Sequence, residues 1–225
     1  MSAEDRPRAG SHRRVSKSDH YYLVYKSLIR DLEYAAKTYA GNRLLDIGCG
    51  DKPYEEMFRG RVTGYVGCDV AQSRLNRVDL LCEATSIPLA SESFDTVFST
   101  QAIEHVADHQ GLLNEAYRLL KPGGYIIVSG PMYWHLHEEP RDFFRFTKYG
   151  FSYILAKSGF AVVEIMSNGG KWATLGQVIL HTMPARLVSL KLVRGVNNRI
   201  FAFLDDKFHN DVNTINYVVV GRKEV

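Results

Sequence analysis

Cysteine is scarce in this 225-residue chain, and the three present, Cys49, Cys68 and Cys82, form no Cys-x-x-Cys pair. An odd, unpatterned set supplies neither a disulfide framework nor a zinc ribbon, and fits free thiols in a reducing, cytoplasmic setting. No apolar stretch follows Met1, so no secretory signal is expected, and Glu4 with Asp5 disfavours a mitochondrial transit peptide. Lys, Arg or His interrupts every apolar run before it reaches the length of a membrane span. Charge of one sign is also lacking. A net +3 is too small to imply a nucleic-acid partner without a local concentration of Lys and Arg, and none is expected. Two weak concentrations exist: Arg6, Arg8, Arg13, Arg14 and Lys17 near the start, and Arg186, Lys191, Arg194 and Arg199, with no acid from Pro184 to Leu204.

What is present is ordinary globular composition, 45% hydrophobic and 24% charged, in a length that suits one α/β domain. Residues 1–18 are polar and basic without apolar period and read as a flexible tail, leaving 19–225 as the domain. A helix is expected from Asp19, with Tyr22, Tyr25, Leu28, Ile29, Leu32, Ala35 and Ala36 on one face and Gly41-Asn42 as its end. Strand and helix signals then alternate. Strands are expected at Arg43–Ile47, Tyr65–Cys68, Val78–Cys82, Phe94–Ser99, Tyr125–Ser129, Phe160–Met166 and Ile215–Val220. Helices are expected over about Ile103–Leu120 and Lys148–Lys157, and Lys121-Pro122-Gly123-Gly124 reads as a turn. This alternation predicts a mostly parallel seven-stranded sheet of Rossmann-like type, with helices on both faces. Such sheets bind ligands beyond the carboxyl ends of their strands. The stretch of about 170–213 is too long for a plain connection and reads as a helical insertion. Its Leu175, Val178, Ile179, Leu187, Leu190 and Leu192 form an apolar face that closes over its own domain, or else meets a membrane surface or a second copy.

The chemistry concentrates first in Leu44-Leu45-Asp46-Ile47-Gly48-Cys49-Gly50, where a strand delivers an acid and two glycines. Glycine allows a tight turn and lets a ligand approach the backbone. A pyrophosphate-cradling turn would add a third glycine, but Asp51-Lys52-Pro53 follows, and Asp46 suits a ligand of positive rather than negative charge. Asp69 closes the next strand about twenty residues on, where this kind of fold sets a carboxylate on ribose hydroxyls.

These segments resemble the class I methyltransferases that use S-adenosylmethionine (SAM), in particular the broad type 11 group. The likeness extends through Val66–Val70, Glu83-Ala84-Thr85-Ser86-Ile87-Pro88-Leu89, Ser93–Val97 with Glu104-His105-Val106, and Leu119–Gly124. It implies SAM as cofactor, an antiparallel last strand, and a set of contacts. Gly48, Cys49 and Gly50 would pass close to the cofactor, with Asp46 near its amino-acid end. Asp69 would accept from the ribose hydroxyls, beside Val70. Glu83 and Ala84 would face the adenine, with Glu83 standing where the group more often has Asp, and Thr100 backbone atoms would meet the methionine part.

After Ser129-Gly130-Pro131 comes a run dense in polar and aromatic groups, from Tyr133 to Thr147. It is similar to stretches in methyltransferases of glycan and cell-envelope synthesis. His137 and His135 are candidate bases, His137 favoured because Glu138 or Asp142 could orient it, and His105 is a further candidate. Tyr133, Trp134, Arg141 and Arg145 are candidate substrate contacts, the two arginines either receiving an anionic substrate group or pairing with Glu138, Glu139 or Asp142. Three ligands crowded into His135, His137 and Glu138 do not have the spacing of a metal site, and no metal is assigned. The reading that results is methyl transfer from SAM to a hydroxyl of a small molecule or sugar, giving S-adenosylhomocysteine. Its rivals are transfer to nitrogen or carbon, an NAD(P)-dependent oxidoreductase, and a non-catalytic SAM-binding protein.

Overall fold

The structure, a computed structural model, describes residues 15–224, so most of the expected tail and Val225 lie outside it. Seven strands form one sheet: β1 Arg43–Ile47, β2 Gly64–Asp69, β3 Leu80–Leu81, β4 Phe94–Thr100, β5 Leu120–Pro131, β6 Phe160–Asn168 and β7 Asn216–Lys223. Their spatial order is β3-β2-β1-β4-β5-β7-β6. β7 runs antiparallel to both of its neighbours, while the pairings from β3 to β5 are parallel. This is the expected Rossmann-like arrangement. The helices are α1 Tyr22–Tyr39, α2 His109–Leu119, α3 Lys148–Lys157, α4 Lys171–Thr182, α5 Ala185–Val188 and α6 Lys191–Lys207.

Alternation along the central strands builds two cores. Leu45, Ile47, Val97, Ile126, Val128 and Val219 face the layer of α2 and α3, in a cluster with Leu112, Ala116, Phe151 and Leu155. Leu44, Phe98, Ile127, Val218 and Val220 face α1, whose Leu28, Leu32, Ala35 and Ala36 recur at helical spacing. Each such leucine, removed completely from water, contributes roughly 1.5–3 kcal/mol. A third cluster joins the start of α1 (Tyr22, Leu23, Val24) to Ala173 of α4, Ala202 of α6 and Ile215. The helices between β6 and β7 thus pack on the amino end of α1.

Several boundaries differ from the sequence reading. α1 begins at Tyr22 rather than Asp19, because the Asp19 carboxylate accepts the Ser16 N–H at 2.7 Å and closes a separate turn. The helix expected from Ile103 is broken. A 3₁₀ turn spans Ile103–His105, Val106 is extended, and α2 starts only at His109, capped by Asp108 accepting from Gly111 N at 2.8 Å. Lys121–Gly124 lies within β5, where pairing jumps from Phe94–Leu120 to Thr96–Tyr125. Residues 15–18, part of the expected tail, are tied down: Asn198 of α6 donates to the carbonyls of Lys17 and Asp19 at 2.9 and 2.8 Å, and Arg194 to that of Ser18 at 2.7 Å.

The reversed direction of β7 brings its first residue, Asn216, to the edge where β4, β5 and β6 end. A buried polar chain runs along that edge. Gln101 donates to Asn216 at 2.7 Å, Asn216 to Asn168 at 2.8 Å, and Asn168 to the Asp31 carboxylate of α1.

Asn198 is fully buried, so Asn198→Ala takes the amide donor from two carbonyls, of which only that of Asp19 keeps another, the Tyr22 N–H at 3.3 Å. It should lower the free energy of unfolding by about 1–3 kcal/mol in urea titration. Proteolytic cleavage before α1 should accelerate in the native protein; an unchanged rate would show that other contacts hold the segment.

Candidate functional site

The turn after β1 is fixed by backbone chemistry. Gly48 and Cys49 both donate to the Cys68 carbonyl of β2, at 2.9 and 3.1 Å. Gly48 has φ +76°, and a Cβ there would stand 2.6 Å from that of Ala102, in the turn after β4. Only glycine fits both requirements. Gly50 also has positive φ, and its N–H donates to Asp69 Oδ2 at 3.0 Å, joining the turns that follow β1 and β2. No cradling helix follows: Glu55–Phe58 is a single 3₁₀ turn. Lys52 is folded back over Gly67, with its ammonium on Asp79 at 2.5 Å.

A cavity of about 630 Å³ opens beyond the carboxyl ends of these strands. Its first wall holds Gly48, Asp69, Val70, Glu83 and Ala84, all expected from the sequence. Cys49 and Gly50 support the turn from behind, outside the lining; Cys49 is buried, and burial pushes its thiol up.

Asp46 is placed differently from the expectation. Strand alternation turns it to the same face as Leu44, away from the cavity, where the Tyr65 hydroxyl donates to it. Burial pushes its carboxyl up to about 7, against the opposing effects of Tyr65 and Lys52. It is a core acid. Thr100 is likewise buried, with its hydroxyl on Ser129, and the wall is formed one and two residues later by Gln101 and Ala102. Gln101 has φ +53°, a conformation that no local sequence signal announces. Asp108 was missed because the expected helix ran through it, although an Asp three residues before Gly111 is a capping pattern. Tyr21 joins the lining through tertiary packing alone.

The opposite wall is the loop after β5, pinned to the 3₁₀ turn by Phe143 and Phe144 N–H groups donating to the Glu104 carbonyl at 3.0 and 3.3 Å. Asp142 organises it. Its side chain is 1% exposed and accepts from Arg145 Nη1 and Nη2 at 2.7 Å each, from His137 N at 3.0 Å and from His137 Nδ1 at 3.2 Å. Burial would raise the Asp142 carboxyl, but the Arg145 fork and the His137 N–H hold it well below the usual carboxylate range. Arg145 also donates to the carbonyls of Trp134, Phe144 and His135, so its five N–H groups are all engaged within the loop. It is a brace rather than a substrate contact. Tyr133 stands outside the lining, whereas Trp134 and Arg141 belong to it.

His105, His135 and His137 all face the cavity. Burial lowers the His137 and His135 imidazoles from their ordinary value, Asp142 opposing in both cases. His137 uses Nδ1 on Asp142, and His105 uses Nδ1 on the Arg141 carbonyl at 2.8 Å, which leaves both Nε2 atoms for other partners. Their rings lie 4.7 Å apart. His135 packs instead on His181 at 4.2 Å and Trp134 at 5.1 Å. Beneath the pair, Glu104 is fully buried with neither carboxylate oxygen hydrogen-bonded, and burial pushes it up to about 8. Glu104, His105 and His137 bring their ligand atoms within 4.8 Å of one another, a grouping that could hold a metal ion. The sequence reading missed it because it weighed only groups within one loop.

Comparison with known proteins agrees with this geometry. Residues 45–128 match the model of a methyltransferase domain. A ubiquinone biosynthesis O-methyltransferase of Ruegeria pomeroyi is 34% identical over 105 residues, covering 41% of this chain and 42% of that one. The chain spans less than half the length of such curated relatives. Among solved structures, a SAM-dependent methyltransferase of Archaeoglobus fulgidus aligns with TM-score 0.59 and 20% identity, over 91% of this chain and all of that one. Phosphoethanolamine N-methyltransferase 2 of Haemonchus contortus, solved with SAM, aligns with TM-score 0.55 and 18% identity, over 94% and 60%. These likenesses show the fold.

The buried Glu104 makes stability depend on pH. A native carboxyl raised from its ordinary 4.5 to about 8 holds its proton more tightly than the unfolded chain does, so stability falls as pH climbs through that window. Glu104→Gln should lose less in thermal denaturation between those two values than the wild type does. Parallel pH profiles would mean that Glu104 is not held protonated.

Proposed function

We propose that this chain, whose residues 45–128 match a methyltransferase domain, transfers a methyl group from SAM to a hydroxyl of a small molecule or sugar. The observation that carries the reading is a single 630 Å³ cavity, with the Gly48 turn and Asp69 on one wall and His105 and His137 on the other. The volume suits a nucleoside-sized ligand beside a small acceptor.

The residues present fit SAM. Gly48, packed against Ala102, brings bare backbone to the cavity wall, and the turn offers no phosphate-binding helix terminus. Asp69 spends Oδ2 on Gly50 and keeps Oδ1, 3.5 Å from Ala71 N, to accept from ribose hydroxyls. Val70, half exposed, gives an apolar surface beside Glu83 and Ala84 for the adenine. When bound, SAM supplies a methyl carbon on a positively charged sulfur and leaves as S-adenosylhomocysteine.

The chain's part in the transfer is to hold an acceptor oxygen in line and to take its proton. His137 is the base. Asp142 fixes its Nδ1–H, so the lone pair on Nε2 faces the cavity, and the lowered imidazole is neutral and ready to accept. The hydroxyl proton passes to Nε2 as the oxygen–carbon bond forms, and the anionic Asp142 stabilises the imidazolium that results. Arg145 keeps Asp142 ionised and the loop in place. Arg141 and Trp134 line the acceptor side, and His105, packed on His137, limits its rotation. A cytoplasmic setting goes with this reading, since Cys49, Cys68 and Cys82 are all free thiols.

Calorimetry with SAM and with NAD is the first test, and binding of NAD without SAM defeats the proposal. Asp69→Ala should weaken SAM by roughly ten- to a hundredfold while the fold persists. For His137→Ala, turnover should drop by about a hundredfold or more with SAM affinity near normal; wild-type rates would remove His137 as the base. The acid limb of the wild-type rate profile should lie below 6.5, because only the neutral imidazole accepts a proton.

A further inference from the structure

The outward side of α5 and α6 is unusual for a helix that packs on its own domain. α6 turns Gly195, Asn198, Ala202 and Asp205 inward. Opposite them, Leu192 (76% exposed), Val196, Ile200 and Phe203 (61% exposed) fall on one stripe at spacings of three and four, continued by Leu187 and Leu190 at the α5 corner. Single exposed leucines need no explanation, but an aligned row of this length does.

The charges beside the stripe are of one sign. Arg186, Lys191, Arg199 and Lys207 are all exposed, and the Lys207 ammonium sits over the Phe203 and Phe208 rings at 5.8 and 5.6 Å. The two acids of α6 are spent elsewhere. Asp205 is buried and accepts the N–H groups of Gly170 and Ala173, at 3.0 and 3.2 Å, at the start of α4. Asp206 is paired with Lys26 of α1 at 2.6 Å. Among the described residues, the face therefore offers apolar side chains framed by cations, with both carboxylates of α6 already partnered.

From this geometry we propose that the outer face of α5 and α6 docks on an anionic lipid bilayer surface. The row of Leu, Val, Ile and Phe enters the boundary between headgroups and acyl chains, with α6 lying in the plane. The lysines and arginines extend to the lipid phosphates, their stems lying along the apolar surface. A second copy is the poorer occupant, since a twofold contact would set this basic face against itself. The helix rests on the membrane rather than crossing it: among the described residues, no helix is long and apolar enough to span.

The test is co-sedimentation of the full chain with vesicles of phosphatidylcholine alone and of phosphatidylcholine mixed with phosphatidylglycerol. Binding should be strong only to the mixed vesicles and should weaken with added salt. Lys191→Gln with Arg199→Gln should lower the partition coefficient roughly twenty-five-fold, from about a fivefold contribution per cation. Ile200→Ser with Phe203→Ser should lower it roughly tenfold or more. Both variants should keep wild-type circular dichroism and SAM affinity, which separates loss of docking from loss of fold. Equal binding to both kinds of vesicle, or partition unmoved by both variants, overturns the proposal. So does a Phe203-dependent dimer in sedimentation velocity, or capture of an acidic protein by this face, where vesicles are not bound.

Discussion

The site depends on one steric constraint. Parallel strands deliver their carboxyl ends to a single edge, and there the turn after β1 must pass the turn after β4 with no space for a side chain. Gly48 meets that demand, lying where a Cβ would overlap that of Ala102. Because the two turns touch, the backbone of one and the Gln101–Ala102 corner of the other become neighbouring parts of one wall. The hydrogen bond from Gly50 to Asp69 then ties in the third turn, so the carboxylate most suited to a ribose is held by the same backbone that leaves room for it.

The facing wall is built on a different principle. The loop after β5 anchors Phe146, Phe144 and Met132 against the core, and between those anchors its polar groups are ordered by charge-assisted hydrogen bonds around Asp142. Such bonds are stronger than neutral ones, and the low exposure of Asp142 protects them from solvent screening. One carboxylate thereby sets both a backbone N–H and an imidazole of His137. Glu104 works in the opposite sense. It is an acid without hydrogen-bonding partners, kept beneath the His pair by the packing of the 3₁₀ turn.

How much of this was legible in the residues follows from the range of the forces involved. Strand order and the two apolar faces were readable, because alternation at β1, β4 and β5 and helical recurrence in α1 are local patterns. Gly48, Asp69, Val70, Glu83 and Ala84 were readable because strand-end positions are set by the fold itself. Asp46 was misplaced when the chemistry of its charge was weighed ahead of the strand's alternation, which turns it toward Tyr65. Thr100 was one residue short of a left-handed turn at Gln101 that has no glycine to mark it. For Arg145 the pairing with Asp142 was one of two readings, and the three carbonyls that complete its set of partners converge through loop geometry that no local pattern reports. Tyr21 and Glu104 enter through contacts between distant segments, and no local pattern reports those.

The chain of amides from Gln101 through Asn216 and Asn168 to Asp31 has a polarity. Each amide gives its N–H₂ to the next, and the last gives it to an anion, so one carboxylate on α1 dictates the sense of all three. Reversing any one of them would set oxygen against oxygen. The orientation of Gln101 at the cavity is therefore anchored several side chains away, and a helix on the far flank of the sheet decides which end of that amide a ligand meets.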